Sequence, residues 1–442
     1  MAPLRVTATA STRSASPCGR LRSPRPAAYR LGPDFPTQED WPLSGTTFDH
    51  DVVVVGGCGH VGLPLAIALA SRGLDVAIQD IDARAVDLVL SGELPFMEDG
   101  AQEVLQQGLA AGRLTATTDP EVIGRSEVVV VVIGTPVDEH LNPDPHAVTK
   151  ALRESLGSFR DGQLVVLRST VYPGVTRTIE RLFADAGLDL DVAFCPERIA
   201  EGRAMEELFT LPQIVSARTQ DARDRAAKLF GALTPSVVEL DPEEAELAKL
   251  FTNNWRYIKF AAANQFYVMA NDHGLDYDRI RKALAHDYPR AADMPGAGFA
   301  AGPCLFKDTM QLAAFTDNSY VLGHSAMLVN EGLPLYLVTR MEQAHDLADL
   351  RVGILGMAFK GESDDIRSSL SYKLKRILEF RSREVFCTDP YVTVDDSLLP
   401  LEEVLERSDV LVIGAPHKTY ADVVTDKPVV DVWNLLGNGT TV

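Results

Sequence analysis

The chain has 442 residues, 46% of them hydrophobic and 24% charged, a globular balance that excludes a wholly disordered chain or a collagen-like fibre and, at roughly 150 residues per domain, favours about three domains. A formal net charge of −20 repels phosphate backbones and anionic lipid surfaces, so neither nucleic acid nor membrane is an expected partner, and an anionic small substrate would need local donors for its phosphates. The longest apolar runs, such as Val128 to Ile133, fall far short of the roughly 20 residues of a membrane helix, and five cysteines without CxxC spacing argue against a disulfide framework or zinc ribbon and fit a reducing, cytoplasmic compartment.

Residues 1 to about 48 carry Arg5, Arg13, Arg20, Arg22, Arg25 and Arg30 before the first acid, Asp34, and show no apolar period. The composition is that of an organelle transit peptide without an apolar secretion core, and points to a disordered leader or an over-long start. From Asp51 short Val-rich runs (Asp51–Val55, Val128–Ile133, Leu164–Leu167, Asp191–Phe194) alternate with stretches of helical spacing, the pattern of a parallel sheet covered on both faces. Gly57-Cys58-Gly59-His60-Val61-Gly62 matches GxGxxG between the first strand and the run Leu63–Ala70. Its glycines permit a tight turn, close approach to a pyrophosphate and helix-on-strand packing. A second strand, Asp75–Ile78, leads to Asp80, placed to accept hydrogen bonds from a ribose 2′-OH and to favour NAD over NADP, with Arg84 nearby as the opposing influence. A Gly-rich turn without ligand is the bland alternative.

Cys195-Pro196-Glu197-Arg198-Ile199-Ala200-Glu201-Gly202 follows a buried strand, so its charges belong at the carboxyl edge of the sheet, as ligand contacts or as solvated loop residues. This α/β block is expected to end near residue 218. Asp241-Pro242-Glu243-Glu244 reads as N-cap, first-turn proline and first-turn acids of a long helix running to Asp272 or His273. Its Leu247, Leu250, Phe251, Trp255 and Ile258 demand a large partner surface, as in a spine between domains or subunits. Lys249 and Asn253, four apart, share a face of it; they are surface residues or, if the helix is largely covered, a lysine in need of an anionic partner. Pro295 to Pro303 is a small-residue loop, and Cys304 sits between it and a helical stretch opened by Lys307-Asp308-Thr309. A thiol there, at a helix start beside a lysine, is expected to have a lowered pKa suited to a nucleophile; a buried packing cysteine is the alternative. Cys18, Cys58, Cys195 and Cys387 carry no such context. After a linker near Gln343–Asp349, Arg351–Leu355 with Gly356 echoes Val52–Gly56, and Arg407–Pro416 echoes Arg125–Pro136. The echo is an internal structural repeat or a coincidence between Val-rich strands. No metal-ligand spacing and no serine-hydrolase elbow is present. The fold class is α/β: two doubly wound Rossmann-like domains (49–218 and 346–442) joined by a central long-helix domain (219–345).

Together these residues resemble the UDP-glucose/GDP-mannose dehydrogenase family over about residues 50 to 435. The resemblance rests on GxGxxG with Asp80, Gly134-Thr135-Pro136, Ser169-Thr170-Val171, the loop at Pro196, Lys249 with Asn253, Cys304-x-x-Lys307-Asp308, Gly356-Met357-Ala358-Phe359-Lys360 and Asp365-Ile366-Arg367. It implies NAD-dependent oxidation of the C6 alcohol of a nucleotide-linked sugar to the acid in two hydride transfers. Cys304 would be the nucleophile forming a thiohemiacetal and then a thioester. Lys249 and Asn253 would stabilise the oxyanion, Asp308 would assist proton movement, and Glu197, with Thr170 positioning water, would serve hydrolysis. Gly57, Gly59, Gly62, Asp80, Thr135 and Lys307 would hold NAD; Arg198, Lys360 and Arg367 would hold the nucleotide sugar, with Arg290 reaching a neighbouring subunit's site in a homodimer or a multiple of one. CPER joined to IAEG mixes the N-acetylhexosamine and glucose patterns, and GPCLFKD is nearer the glucose type. The expectation leans to UDP-N-acetylmannosamine or UDP-N-acetylglucosamine, with UDP-glucose as the alternative; Ser369 stands where the family often has proline. A hydroxyacid dehydrogenase with a helical second domain would leave the second α/β unit and Cys304 unexplained, and an idle nucleotide-sugar binder would not need Cys304, Lys249 and Asn253 together.

Overall fold

The computed structural model describes residues 48–135, 144 and 146–442; all of the expected leader but Phe48, Cys18 within it, and Pro136 of the Gly-Thr-Pro motif lie outside the described residues. Strands β1 (His50–Val55), β2 (Val76–Gln79), β3 (Leu114–Thr117), β4 (Ser126–Val131), β5 (Leu164–Leu167), β6 (Asp191–Phe194), β7 (Gln213–Ala217) and β8 (Val237–Leu240) form one eight-stranded sheet in the order 3-2-1-4-5-6-7-8. All neighbours are parallel except β6 and β7. The unbroken valine run of β1 is explained by burial on both faces: Val52 and Val54 enter one core with Leu65, Leu69 and Ile78, and Val53 enters another with Val129, Val165 and Ile179. The strand order reverses between β1 and β4, which opens a crevice at their carboxyl ends.

The first α/β domain runs to Leu240 and not to residue 218. Helix Gln220–Gly231 returns the chain to the sheet for β8, a four-residue edge strand in which Val238 and Glu239 are exposed and Val237 and Leu240 only partly covered.

The spine helix, Pro242–Asp272, opens with Asp241 as N-cap, Pro242 in its first turn and Glu243 and Glu244 as first-turn acids, as expected, and adds a capping box between Asp241 and Glu244. Its 31 residues span about 46 Å at 1.5 Å per residue. Ala245 lies in the core of the first sheet, Tyr257 and Ala261 pack with Ala300 and Leu305, and Tyr267 and Ala270 belong to the core of the second sheet. One continuous helix thereby ties three cores together. Phe251 and Trp255, expected to be covered, are 54% and 59% exposed. Lys249 and Asn253 are buried because they lie on the opposite face.

Strands β9 (Arg351–Leu355), β10 (Glu384–Thr388), β11 (Val410–Ile413) and β12 (Val429–Val430) form a parallel four-stranded sheet in the order 10-9-11-12. This reproduces the 2-1-4 arrangement at the heart of the first sheet. β1 and β9 each end at a left-handed glycine, Gly56 (φ +73°) and Gly356 (φ +98°), whose N–H donates to the end of the neighbouring strand, Gln79 O at 2.8 Å and Thr388 O at 2.9 Å. The echo in the sequence is a structural repeat. Among the described residues no helix is long and apolar enough to cross a membrane.

Candidate active site

Gly57 and Gly62 make the turn between β1 and helix Gly62–Ser71 as tight as the backbone allows. A Cβ on Gly62 would lie 2.6 Å from the Gly57 Cα, and one on Gly57 2.6 Å from the Val54 carbonyl oxygen, whereas one on Gly59 would meet nothing nearer than 4.0 Å. The middle glycine thus faces open space at a helix N-terminus, a cradle that fits a pyrophosphate and that a side chain would fill. Asp80 follows β2; its carboxylate accepts the Cys58 N–H at 2.9 Å and the Asp82 N–H at 3.1 Å. It braces the glycine turn while keeping acceptor capacity for a ribose. Arg84 is 94% exposed and directed to Asp82 at 3.8 Å. The residues present fit a dinucleotide.

Cys304 caps helix Leu305–Phe315. The loop before it packs closely on the second α/β domain: a Cβ on Gly302 (φ +99°) would lie 2.7 Å from the Phe359 ring, so glycine is required there. Cys304 reaches solvent, yet protein walls it on most sides. That desolvation, and then the charge of Asp308, push its thiol up, while Lys249 and Lys307 pull it down without prevailing. The lowered thiol pKa expected from the sequence is thus corrected, because desolvation, and then the fully buried Asp308 carboxylate one turn along, outweigh the lysines. Cys58, Cys195 and Cys387 are buried, and burial pushes each up to about 12, as suits packing residues.

Lys249 lies within reach of the thiol's charge, and Asn253, on the same helix face, joins the group through Asp308. Asn253 Nδ2 donates to Asp308 Oδ2 at 2.5 Å, Lys307 Nζ pairs with Asp308 Oδ1 at 2.9 Å, and Asn254 Nδ2 donates to the Asp308 carbonyl at 3.2 Å. Burial lowers the proton affinity of Lys249, opposed by Asp308 and Cys304. Lys307 also donates to Thr135 Oγ1 at 3.1 Å, and that hydroxyl donates to the Thr170 carbonyl at 2.8 Å. One chain of polar contacts therefore runs from the thiol helix to the carboxyl edge of β4 and β5, beside the dinucleotide crevice.

Glu197 is buried near Lys249, but its oxygens are taken. Arg168 pairs with Oε2, and the N–H groups of Arg198 and Ile199 donate to Oε1 at 2.7 and 3.0 Å. Both of its oxygens are thus already engaged within its own domain. Arg168, which the sequence reading missed, is itself fully buried, also holds the Cys195 carbonyl at 2.9 Å and Gln213 at 3.1 Å, and lies over the Phe230 ring. Arg198 is not directed at the cleft: its guanidinium donates to the Pro212 carbonyl within its own domain.

Four residues later in the same loop, Glu201 does meet the second domain. Arg367 Nη2 reaches its Oε1 at 3.1 Å, and Lys360 Nζ donates to its carbonyl. Burial, followed by the charge of Asp365, pushes the Glu201 carboxyl up to about 7. Cys304 feels the charges of both Glu201 and Arg367, which places this group at the thiol. Glu201 lay inside a quoted motif but had no assigned role; its shift depends on a domain contact that no local pattern records. His60, inside the glycine motif, stacks on Phe96 at 3.9 Å, and burial, then the Arg367 charge, push it down to about 4. Arg290 is exposed, bonds Tyr288 at 3.3 Å and is not brought to the cluster within one chain. Ser369 replaces proline without loss of the helix start: it caps Leu370–Arg381 by accepting the Ser371 N–H.

Sequence profiles of the UDP-glucose/GDP-mannose dehydrogenase family match in three parts: the NAD binding domain over residues 51–234, the central domain over 243–331 and the UDP binding domain over 353–438. A UDP-N-acetyl-D-mannosamine dehydrogenase of Pyrococcus horikoshii is 31% identical over 84% of this chain and 90% of its own length. A UDP-D-ManNAc dehydrogenase structure from the same organism superposes with a TM-score of 0.81 at 29% identity, covering 87% of this chain and 96% of that one. A UDP-glucose dehydrogenase structure from Pyrobaculum islandicum gives the same TM-score, 0.81, at 27% identity over 88% of this chain and 95% of that one.

Proposed function

The chain belongs to the UDP-glucose/GDP-mannose dehydrogenase family and is an NAD-dependent nucleotide-sugar dehydrogenase, and from that premise we propose that it oxidises the C6 alcohol of a UDP-N-acetylhexosamine, N-acetylmannosamine foremost, to the uronic acid through a thioester on Cys304. The observation that carries the mechanism is the convergence of an accessible thiol, a buried lysine of lowered proton affinity, and an Asn253–Asp308–Lys307 cluster at the seam of both α/β domains. The sugar assignment rests on the relatives named UDP-N-acetyl-D-mannosamine dehydrogenase.

Bound NAD supplies the hydride acceptor in both oxidations. Lys249 takes the alcohol proton as the aldehyde forms and, with Asn253, holds the oxygen. Cys304 adds its sulfur to the aldehyde carbon and its proton passes to the carbonyl oxygen, which gives a thiohemiacetal; loss of a second hydride and the hydroxyl proton gives the thioester. Water adds to the acyl carbon, the C–S bond breaks, and the thiol is regenerated. The balance is one alcohol, two NAD and one water to one carboxylate, two NADH and three protons. Because Glu197 is held at both oxygens, Glu201, whose carboxyl titrates near neutrality, is the better base for hydrolysis. The exposed Phe251 and Trp255 and the outward Arg290 support a homodimer closed over the helical domain.

The test is turnover of purified protein with NAD on a panel of UDP- and GDP-sugars, together with NADH counted per sugar in a single turnover. UDP-N-acetylmannosamine should give the highest kcat/KM and two NADH per sugar. Equal or better use of UDP-glucose removes the sugar assignment. Cys304→Ser should stop after the alcohol step or stall as an ester; repeated turnover to the uronic acid at the wild-type rate would remove the thioester.

A further inference from the structure

The second α/β domain holds a buried acid–histidine pair that the mechanism above does not use. Asp389 stands immediately after β10, the position that Asp80 holds after β2, and it likewise accepts N–H groups from the turn after the domain's first strand: Met357 at 2.7 Å and Ala358 at 3.0 Å, both to Oδ2. Asp389 is, in addition, paired with a histidine: its Oδ2 lies 3.0 Å from His417 Nε2, and both side chains have 0% exposure. The other Asp389 oxygen accepts the N–H groups of Tyr391 and Val392 at 2.9 and 3.1 Å. Every direction from which a ribose could approach this carboxylate is filled, so the second domain repeats the fold of the first without its ribose site.

The histidine completes a clamp. Its Nδ1 receives the Glu362 N–H at 3.0 Å. Since an amide can only donate there, Nδ1 bears the lone pair and Nε2 carries the proton toward Asp389. Asp389 therefore grips residues 357 and 358, His417 grips residue 362, and the segment between them presents Phe359 and Lys360. The far end is further constrained. Glu362 is a non-glycine residue at φ +56°, its side chain accepts the Lys418 N–H at 2.8 Å, and a Cβ on Gly361 would lie 2.5 Å from the Pro416 carbonyl oxygen. The rings of Tyr391 and Tyr420 close the pocket edge-on at 5.1 and 5.6 Å from the imidazole. A backbone held in so costly a conformation persists only where its surroundings over-determine it, and a buried acid–base pair is a poor way to gain stability alone. What the clamped segment offers is placement: Phe359 against Gly302, two residues before Cys304, and Lys360 at the Glu201 loop.

We propose that His417 and Asp389 form a positioning clamp for the nucleotide sugar, fixing both ends of the 356–362 segment so that Lys360 is held where the diphosphate binds and Phe359 braces the thiol loop. The proposal rests on the reading that Lys360 binds the nucleotide.

The experiment is a double-mutant cycle on the full-length enzyme with His417→Ala, Lys360→Ala and both, reading KM for the nucleotide sugar and for NAD, kcat, and the affinity for UDP by direct titration. His417→Ala should raise KM for the sugar nucleotide and weaken UDP by about tenfold while leaving KM for NAD within about twofold. In the Lys360→Ala background it should add less than about twofold, because the group it acts through is gone. His417→Asn, which keeps an acceptor for the Glu362 N–H, should recover most of the loss. If His417→Ala does not fold, His417→Gln takes its place in the cycle, since its amide can donate to Asp389 but puts no acceptor at the Nδ1 position. A Lys360→Ala enzyme that loses UDP while His417→Ala keeps it, or two effects that simply multiply, would overturn the clamp. Unchanged UDP affinity in Lys360→Ala would instead overturn the assignment of Lys360 to the nucleotide, and the clamp with it.

Discussion

Glu201 shows how one side chain can take its chemistry from a domain contact. Half-buried beside Asp365 and only partly compensated by Arg367 and Lys360, its carboxyl is pushed up to about 7, so it is neutral on the acid side of that value and able to accept a proton above it. If it is the hydrolytic base, kcat/KM should rise with pH through about 7, and Glu201→Gln should abolish that limb. The sign for stability is opposite. A carboxyl whose folded pKa lies above its unfolded value contributes stability that is fully present below the ordinary carboxylate range and is lost as pH rises through the folded value. Glu201→Gln should therefore gain thermal stability relative to wild type between about pH 5 and about pH 8. An acid limb that survives with the same midpoint would move the base elsewhere. Cys304 meets the same physics from the other side: its neighbours do not leave it a free thiolate, so a proton acceptor must act as the sulfur adds.

Among the elements, the glycine turn separates two requirements that share one motif. Gly62 is needed for packing and Gly59 for access. Gly62→Ala drives a Cβ to 2.6 Å from the Gly57 Cα and should lower stability by about 1–3 kcal/mol, as overpacking does. Gly59→Ala points into open space; it should leave the melting temperature near wild type and raise KM for NAD severalfold, because the methyl occupies the pyrophosphate approach. Thermal melts and NAD titrations of the pair would decide: a destabilised Gly59→Ala with normal NAD binding would mean that the turn is a packing device only. The spine helix divides its labour in the same way. One face sends Lys249 and Asn253 into the site, and the other leaves Phe251, Trp255, Phe266 and Met269 between 45% and 59% exposed.

At the scale of the whole molecule that uncovered stripe calls for a partner. The four residues recur at helical spacing on one side of Pro242–Asp272, and contiguous apolar exposure of this kind marks an association surface. Trp255→Glu should convert a dimer, or a multiple of one, to monomer in sedimentation velocity while the melting transition persists. A wild-type protein that already sediments as a monomer would refute the dimer and leave Arg290 without a site to reach.

By itself the sequence was enough to determine whatever depends on short-range pattern. The GxGxxG turn with Asp80, the capped spine helix from Pro242 to Asp272, the doubly buried valine strands and the repeat at Arg351–Leu355 all follow from spacing, propensity and burial within a few turns of chain. Cys304, Lys249, Asn253 and Asp308 were named because residue types and separations carried the family pattern, and they do meet. What only the tertiary structure decided is everything set by the sum of distant charges and by which face is covered. The raised Cys304 thiol, the near-neutral Glu201, the occupied oxygens of Glu197, the turned-away Arg198, the weak edge strand that carries the first domain to Leu240, and the Asp389–His417 clamp each arise from groups far apart in the chain. Desolvation and Coulomb interaction depend on three-dimensional neighbours, and no local window of sequence contains them.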